Sequence, residues 1–449
     1  MYYNNILEII GNTPLVKINK LNQNKKVLML AKWEAKNPGG SMKDRIGIAM
    51  INQAIKDGKL RKGGTIVEAS GAGNTGIGLA IASCVLGYDC ILVLPDKVSD
   101  EKRNLLKAFG ARIIIAPTAV PPDDPRSYYR VADRLTREIT GAFQPNQYFN
   151  KANPEAHYDS SGPEIWKETE GKITHLVTTI GTGGSISGMG RFLKKMNKNI
   201  KIIGVDHVGS VFLEYFKTGK MPKVFKAYKT EGFGEDFIPK TVDFSVIDSI
   251  IQVDDKECFL AARQLAKEEG ILAGSSSGAA LVVARKIAKK LKQGLIVVIL
   301  ADSGTNYLSK FYNDDWMRDF GFLNGEEETI RNLLNKKIHL ISVPASASPK
   351  EAIDLMKKYN ISQLPVMEAK KVVGTVSEGN LLKALYGQAK IPVTVVEIMD
   401  REFLTLDIKS SKTQLAQSLS RKEMVIITDK DGKPIDVLTR IDFLANLNS

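Results

Sequence analysis

With 449 residues, 43% hydrophobic and 25% charged, the chain exceeds the size at which one hydrophobic core stops growing, so at least two domains are expected. Its longest apolar runs, such as 295–300 and 113–116, are far too short to span a bilayer, and residues 1–11 lack the basic-then-apolar layout of a secretory leader, which points to the cytoplasm. The formal charge of +13 is spread along the chain, denser only around 194–201 and 223–229, and argues against a nucleic-acid-binding stripe.

The first segment with chemical content is Asn37-Pro38-Gly39-Gly40-Ser41-Met42-Lys43-Asp44-Arg45, which sets a lysine at the end of a glycine turn, where a helix can begin. A lysine there can form a Schiff base with pyridoxal phosphate; a single lysine is equally a solvated helix start, so its neighbours decide. From Gly64 to Ala301, short β-branched runs alternate with longer helical stretches, with strands predicted at 65–68, 90–94, 111–116, 175–180, 201–205, 250–253 and 295–300. That alternation predicts an α/β fold with a mostly parallel sheet covered by helices on both faces and ligands at the carboxyl ends of the strands.

Two of those strands run into glycine turns and then helices. The first loop, Glu68-Ala69-Ser70-Gly71-Ala72-Gly73-Asn74-Thr75-Gly76, offers amides and the side chains of Ser70, Asn74 and Thr75 to a carboxylate, and the Asn74 amide to a phenolic oxygen. The second, Gly181-Thr182-Gly183-Gly184-Ser185, presents amides and hydroxyls at a helix start, a seat for phosphate, with a plain strand-to-helix turn as the alternative. It carries neither the spacing of a dinucleotide fingerprint nor that of a P-loop. Cys84, Cys90 and Cys258 follow no metal spacing and leave one thiol over in any pairing, so reduced thiols are expected. His157, His175, His207 and His339 are scattered, which speaks against metal or haem ligation.

After Met317 the composition turns polar, and 318–337 reads as a linker carrying a short helix. A second domain is expected over 338–449. Within it Ser377, Asn380, Leu382 and Leu385 recur as Thr439, Asp442, Leu444 and Leu447, all 62 residues on, the mark of a duplicated module with copies at about 338–389 and 390–449. Each copy reads as a helix, two strands and a helix, too small to bury its apolar face alone.

Lysine, phosphate seat and carboxylate loop, together with Gly11-Asn12-Thr13-Pro14-Leu15-Val16 and Gly274-Ser275-Ser276-Ser277-Gly278, closely resemble the β-family, or fold type II, of pyridoxal-phosphate enzymes over residues 6–317. The resemblance implies a tryptophan-synthase-β-like catalytic domain of two α/β subdomains over 1–317. The duplicated tail is similar to a tandem pair of CBS regulatory domains. By the same resemblance, Lys43 holds the cofactor and acts as base at Cα; Gly181, Thr182, Gly183, Gly184 and Ser185 hold its phosphate; Asn74 meets its ring oxygen. Ser276 then faces its ring nitrogen. Ser70, Gly71, Ala72, Thr75, Gln147, Tyr158 and Gly232 surround the amino-acid substrate.

The reaction so implied is β-replacement through an aminoacrylate, joining serine or an activated serine to homocysteine, with sulfide and O-acetylserine or O-phosphoserine as the alternative pair. A ligand-sensing scaffold with a degenerate catalytic half is the reading from another class. Two departures from the family pattern stand out: five residues rather than four separate Glu68 from Asn74, and Glu235 occupies a position where serine–homocysteine members commonly place tyrosine. The haem-binding extension of animal members is missing, so pyridoxal phosphate without haem or metal is expected. The tail implies S-adenosylmethionine or an adenine nucleotide near Thr439 and Asp442, with Asn380 in place of the acid in the first copy; a purely dimerising tail is the alternative. The family also implies at least a homodimer.

Overall fold

In a computed structural model of the chain, the β-branched runs of the first 312 residues form two separate sheets. The structure describes residues 2–71, 73–96, 98, 100–117, 120–121, 123–222, 228–323, 329–334, 340–369, 371–386 and 392–445. It divides into two units, Met1–Tyr312 and Asn313–Ser449. The strands of the first unit are β1 (Leu15–Lys17), β2 (Val27–Trp33), β3 (Thr65–Ala69), β4 (Asp89–Pro95), β5 (Arg112–Ala116), β6 (Ala142–Phe143), β7 (His175–Thr179), β8 (Lys201–His207), β9 (Ser249–Val253) and β10 (Gly294–Leu300). Their order is β1-β2-β10-β7-β8-β9 in the larger sheet and β5-β4-β3-β6 in the smaller.

All described pairings in these two sheets are parallel except β1 with β2. Parallel strands need helical crossovers, which cover both faces and make the strands apolar on both sides. β10 shows the result: Ile296, Val298 and Leu300 enter one core with Leu281 and Ala284, while Leu295, Val297 and Ile299 enter another with Ile186 and Leu193. In β4, Leu92 and Leu94 likewise face Ile77 and Leu106, and Ile91 and Val93 face Ala132. Each such buried aliphatic side chain contributes about 1.5–3 kcal/mol.

The seven predicted strands are all present, but in two sheets rather than one. β1, β2 and β6 were not legible. Lys32 breaks the apolar pattern of β2, yet its ammonium is fully buried on the Thr13 carbonyl (2.5 Å), Glu168 (2.8 Å) and Glu164 (2.9 Å). Among the described residues no helix is long and apolar enough to cross a membrane.

In the second unit, β11 (Val343–Pro344), β12 (Gln363–Glu368) and β13 (Lys371–Ser377) form one sheet, and β14 (Leu404–Asp407), β15 (Met424–Thr428) and β16 (Pro434–Thr439) form another of the same order and sense. Each module therefore opens with a short strand that the sequence pattern did not show. The helices Pro349–Tyr359 and Lys412–Arg421 both start in capping boxes, at Ser348 with Glu351 and at Ser411 with Gln414. Replacing Ser348 by alanine removes the oxygen that accepts from the Glu351 amide; about 1 kcal/mol of stability is lost, read as a lower urea midpoint for the second unit.

The residues repeated at an offset of 62 mark a helix-start turn. Ser377 N–H and hydroxyl donate to Asn380, and those of Thr439 donate to Asp442. The repeated leucines Leu382 and Leu444 are exposed, and Leu447 lies outside the described residues. Part of the predicted linker is core: Ile330 and Leu333 are buried among Leu415, Leu419, Val425 and Ile427.

Candidate active site

The glycine turn before Lys43 is held from inside the helix that follows it. The Asp44 carboxylate accepts the Gly39 N–H at 2.5 Å, and Gly40 takes a φ of +76°. Met42 N–H donates to the Ala301 carbonyl at 2.8 Å, and Ser41 bridges Asp302, so the helix Lys43–Lys56 begins against the carboxyl end of β10. Lys43 Nζ stands 3.4 Å from Thr182 Oγ1. Burial pushes its pKa down to about 8, against the attraction of Glu235 and Asp302. An amine so placed can both take up and return a proton near neutral pH.

A second helix, Asn74–Leu86, starts at Gly73, whose φ is +83°, where β3 gives way to the carboxylate loop. It crosses the Lys43 helix at two glycines with no space between their backbones. A Cβ on Gly47 would lie 2.7 Å from the Gly78 carbonyl carbon, and one on Gly78 would lie 2.7 Å from the Lys43 carbonyl oxygen. This contact places Asn74 beside Lys43. Asn74 Nδ2 donates to Asp302 Oδ2 at 2.8 Å, while its Oδ1 is buried with no hydrogen-bond partner among the described residues.

Asp302 in turn accepts the Tyr307 hydroxyl at 2.6 Å, and burial raises its pKa. Lys102, fully buried, donates to Tyr307 (3.3 Å) and to Glu231 (2.9 Å); Glu231 also pairs with Lys310. The chain from Lys310 to Asn74 was invisible in the sequence because bonded partners in it lie up to 228 residues apart.

The glycine cup follows β7. Gly183 has a φ of +81°, and the helix Gly184–Met196 begins one residue later with its first amides open, as at any helix start. Thr241 Oγ1 donates to the Thr182 carbonyl at 2.5 Å, and Asn153 Nδ2 donates to Thr182 Oγ1 at 3.1 Å. Gly184 abuts Asn153, whose Oδ1 lies 1.9 Å from where a Cβ would stand. Ser276 sits in the first turn of the helix Ser275–Ala288.

Within the carboxylate loop, Ser70 Oγ turns back to accept the Gly76 amide at 3.0 Å, and Thr75 Oγ1 donates to Gln147 Oε1 at 2.5 Å. Buried Glu68 accepts the amides of Asn146 (2.7 Å) and Gln147 (3.2 Å), and burial pushes its pKa up to about 7. These bonds fix Gln147 opposite the loop.

Lys43, Ser70, Gly71, Asn74, Thr75, Gln147, Gly181, Thr182, Gly183, Ser185, Gly232 and Ser276 line one cavity of about 410 Å³. Ala72 and His339 lie outside the described residues. Tyr158 is a correction. The helix carries it outward, its ring packs edge-on against Phe192 at 5.6 Å, and its hydroxyl receives Lys195 at 3.2 Å. Phe233 and four tyrosines give the cavity aromatic walls; the tyrosines, Tyr128, Tyr129, Tyr148 and Tyr228, were missed by sequence reasoning because no motif surrounds them. Thr439 and Asp442 belong to the second unit and satisfy each other.

These groups fit pyridoxal phosphate. A lysine near neutrality suits an aldehyde, the open amides of the cup suit a phosphate, and the partnerless Asn74 oxygen with its amide suits a ring substituent. An α/β scaffold with these features defines a cofactor-dependent enzyme of amino-acid chemistry. The model of the family "pyridoxal-phosphate dependent enzyme" matches residues 6–302, and a "CBS domain" model matches 330–387. The chain belongs to the fold type II pyridoxal-phosphate enzymes, with a C-terminal CBS domain.

Among similar proteins, a cystathionine beta-synthase of Dictyostelium discoideum is 40% identical over 99% of this chain and 92% of the relative. A cysteine synthase of Staphylococcus aureus is 41% identical over 68% of this chain and 95% of its own length. A hydrogen sulfide-producing enzyme of Fusobacterium nucleatum superposes with a TM-score of 0.63 at 36% identity, covering 68% of this chain and all of that one.

Proposed function

We propose that the protein condenses serine, or an activated serine, with homocysteine to give cystathionine. The observation that carries this reading is the match to cystathionine beta-synthases along nearly the whole chain, tail included, whereas the cysteine synthase relative matches only the first two thirds. When bound, pyridoxal phosphate supplies an electron sink that makes the substrate Cα–H acidic and lets the β-substituent leave. Lys43 holds the cofactor and then takes the Cα proton and returns it at the end. The amides and hydroxyls of the cup neutralise the phosphate, and Asn74, steadied by Asp302, meets the ring oxygen.

Ser276 meets the ring nitrogen with a neutral hydroxyl. No carboxylate is then present to protonate that nitrogen, which favours loss of a β-substituent over transamination or racemisation. The Ser70–Thr75 loop and Gln147 seat the substrate carboxylate. In the net reaction the serine Cβ–O bond breaks, a Cβ–S bond forms, and the hydroxyl leaves with the thiol proton as water.

The purified holoenzyme is expected to show kcat/KM for serine with homocysteine at least about tenfold above that for O-acetylserine with sulfide. The reverse preference would establish the cysteine synthase reading, which the Staphylococcus aureus relative supports. A non-catalytic sensing scaffold is disfavoured by the buried, near-neutral Lys43. The finer features of the reading are a homodimer, a cytoplasmic location, and a tail that binds S-adenosylmethionine or an adenine nucleotide at Thr439 and Asp442. A ligand there changes activity only by binding two arrangements of the tail unequally.

A further inference from the structure

Gln147 seats the substrate carboxylate in the proposed reaction, and it is gripped from three sides. Its side-chain oxygen accepts from Thr75 Oγ1 at 2.5 Å, its carbonyl accepts from Asn153 Nδ2 at 2.8 Å, and its backbone N–H donates to Glu68 at 3.2 Å. The N–H groups of its side-chain amide are the donors it can offer a carboxylate.

Glu68 is the charged member of that grip. It lies on β3, 1% exposed, and spends both oxygens on one turn: Oε2 accepts the Asn146 N–H at 2.7 Å and Oε1 accepts the N–H of Gln147. Asn146 takes a φ of +52°, a left-handed conformation that the chain enters at a cost and that brings two successive amides onto one carboxylate. An ionised carboxylate can accept from both. A protonated one has turned an oxygen into a donor and can no longer serve two N–H groups.

Burial pushes the Glu68 pKa up to about 7, so its charge changes near neutrality. Among the described residues, two other ionisable groups act on it. Asp133, on the helix Tyr128–Glu138, pushes in the same direction, and Cys90 of β4 is a thiol whose own pKa burial pushes up to about 12. The helix Asn74–Leu86, packed against β3, carries no charged side chain.

We propose that Glu68 is a positioning residue for the first substrate: by holding the successive amides of residues 146 and 147, it aims the Gln147 side chain at the substrate carboxylate. It touches neither substrate nor cofactor and acts only through the turn. Loss of its charge releases one amide and lets the Gln147 amide drift from its target, so affinity for the donor amino acid falls with pH. The assignment rests on the reading that sets the donor carboxylate against Gln147, and adds to it the group that keeps Gln147 in register.

The test compares dissociation constants for serine and for 2-aminoethanol, which is serine without its carboxylate, read from the change in cofactor absorbance of the holoenzyme. Titration of Lys43 and of the ligand amine acts on both ligands and largely cancels in their ratio. The wild-type preference for serine should be full above about pH 8 and fall roughly fivefold by about pH 6. Glu68→Gln, which puts a donor where one oxygen stood, should lower the preference roughly tenfold at about pH 8 and abolish its pH dependence, with 2-aminoethanol affinity and circular dichroism unchanged. In a Gln147→Ala background the same substitution should change nothing further, since no amide is left to aim.

A wild-type preference that stays flat over that range, or an equal loss for both ligands in Glu68→Gln, overturns the assignment. If Gln147→Ala leaves the preference intact, the carboxylate seat lies elsewhere and the assignment falls with it. If Gln147→Ala destroys the preference and Glu68→Gln does not, the seat stands and Glu68 alone is excluded. Should Glu68→Gln fail to fold, the wild-type profile and its loss in Gln147→Ala decide. The second substrate enters none of these measurements, so the identity of the acceptor does not affect the outcome.

Discussion

Replacing Lys43 by alanine abolishes turnover, by about ten-thousand-fold or more, because one side chain serves as both cofactor anchor and proton carrier. Borohydride reduction of the wild-type holoenzyme should leave a permanent label on the peptide containing residue 43, and the variant should carry none. A label of equal yield elsewhere in Lys43→Ala would remove the basis of the assignment. The same side chain burdens the apoprotein. Its pKa is about 8 when folded against an ordinary 10.5, so the unfolded chain binds the extra proton between those values, and stability rises with pH through that window.

Below about pH 8 the buried ammonium is a full penalty, on the order of 3 kcal/mol. Lys43→Met is therefore expected to make the inactive apoprotein more stable at neutral pH by about 1–3 kcal/mol, with the gain shrinking as the pH rises toward 10. Urea unfolding at several pH values measures this directly. A variant less stable than wild type at pH 7 would contradict it.

Gly183→Ala should be strongly damaging to the cup. Its φ of +81° costs an alanine about 1 kcal/mol, and the new Cβ would stand 2.1 Å from Val242 Cγ2. Relieving that overlap adds about 1–3 kcal/mol. The only way out is to push Val242, and with it Thr241, whose hydroxyl holds the Thr182 carbonyl of the cup. Stability should fall by about 2–4 kcal/mol, and pyridoxal phosphate affinity should drop more than about tenfold by absorbance titration. Gly58→Ala is the control, since its φ of +69° imposes the backbone cost with nothing within 4 Å of the added carbon. Unchanged cofactor affinity in Gly183→Ala would show that the cup does not hold the phosphate.

What the sequence disclosed and what it withheld divide along a physical line. Lys43, the Gly181–Ser185 cup and the Asn74 loop are local: a strand, a glycine turn and a helix start lie within a dozen residues, so their spacing is written in the chain. The seven longer strands between Thr65 and Leu300 were legible for the same reason, since parallel strands covered on both faces are continuous apolar runs, whereas the two-residue β6 was too short to show. β2 was hidden by Lys32, a charge that only distant Glu164 and Glu168 make tolerable. Tyr128, Tyr129 and the Lys102–Tyr307–Asp302 chain depend on tertiary proximity, and nothing nearby in the sequence signals them. Tyr158 was placed by analogy; the turn of its helix points it the other way. In the tail, the repeat of 62 residues recorded a helix-start turn rather than a buried core.

The crossing of Gly47 over Gly78 sets a limit on how this protein can diverge. Because main chain touches main chain there, the interval between the nitrogen of residue 43 and the amide of residue 74 is inherited from the scaffold and is indifferent to side-chain drift around it. In the rim formed by residues 228–236 the same restriction falls only on glycines, since a Cβ on Gly181 would lie 2.9 Å from the Gly232 carbonyl oxygen and one on Gly234 2.6 Å from the Tyr228 hydroxyl, while side chains such as Tyr228 and Glu235 line the cavity outside it. Descendants of this sequence can exchange acceptors by editing the rim one position at a time, while the machinery for activating the donor is passed on intact.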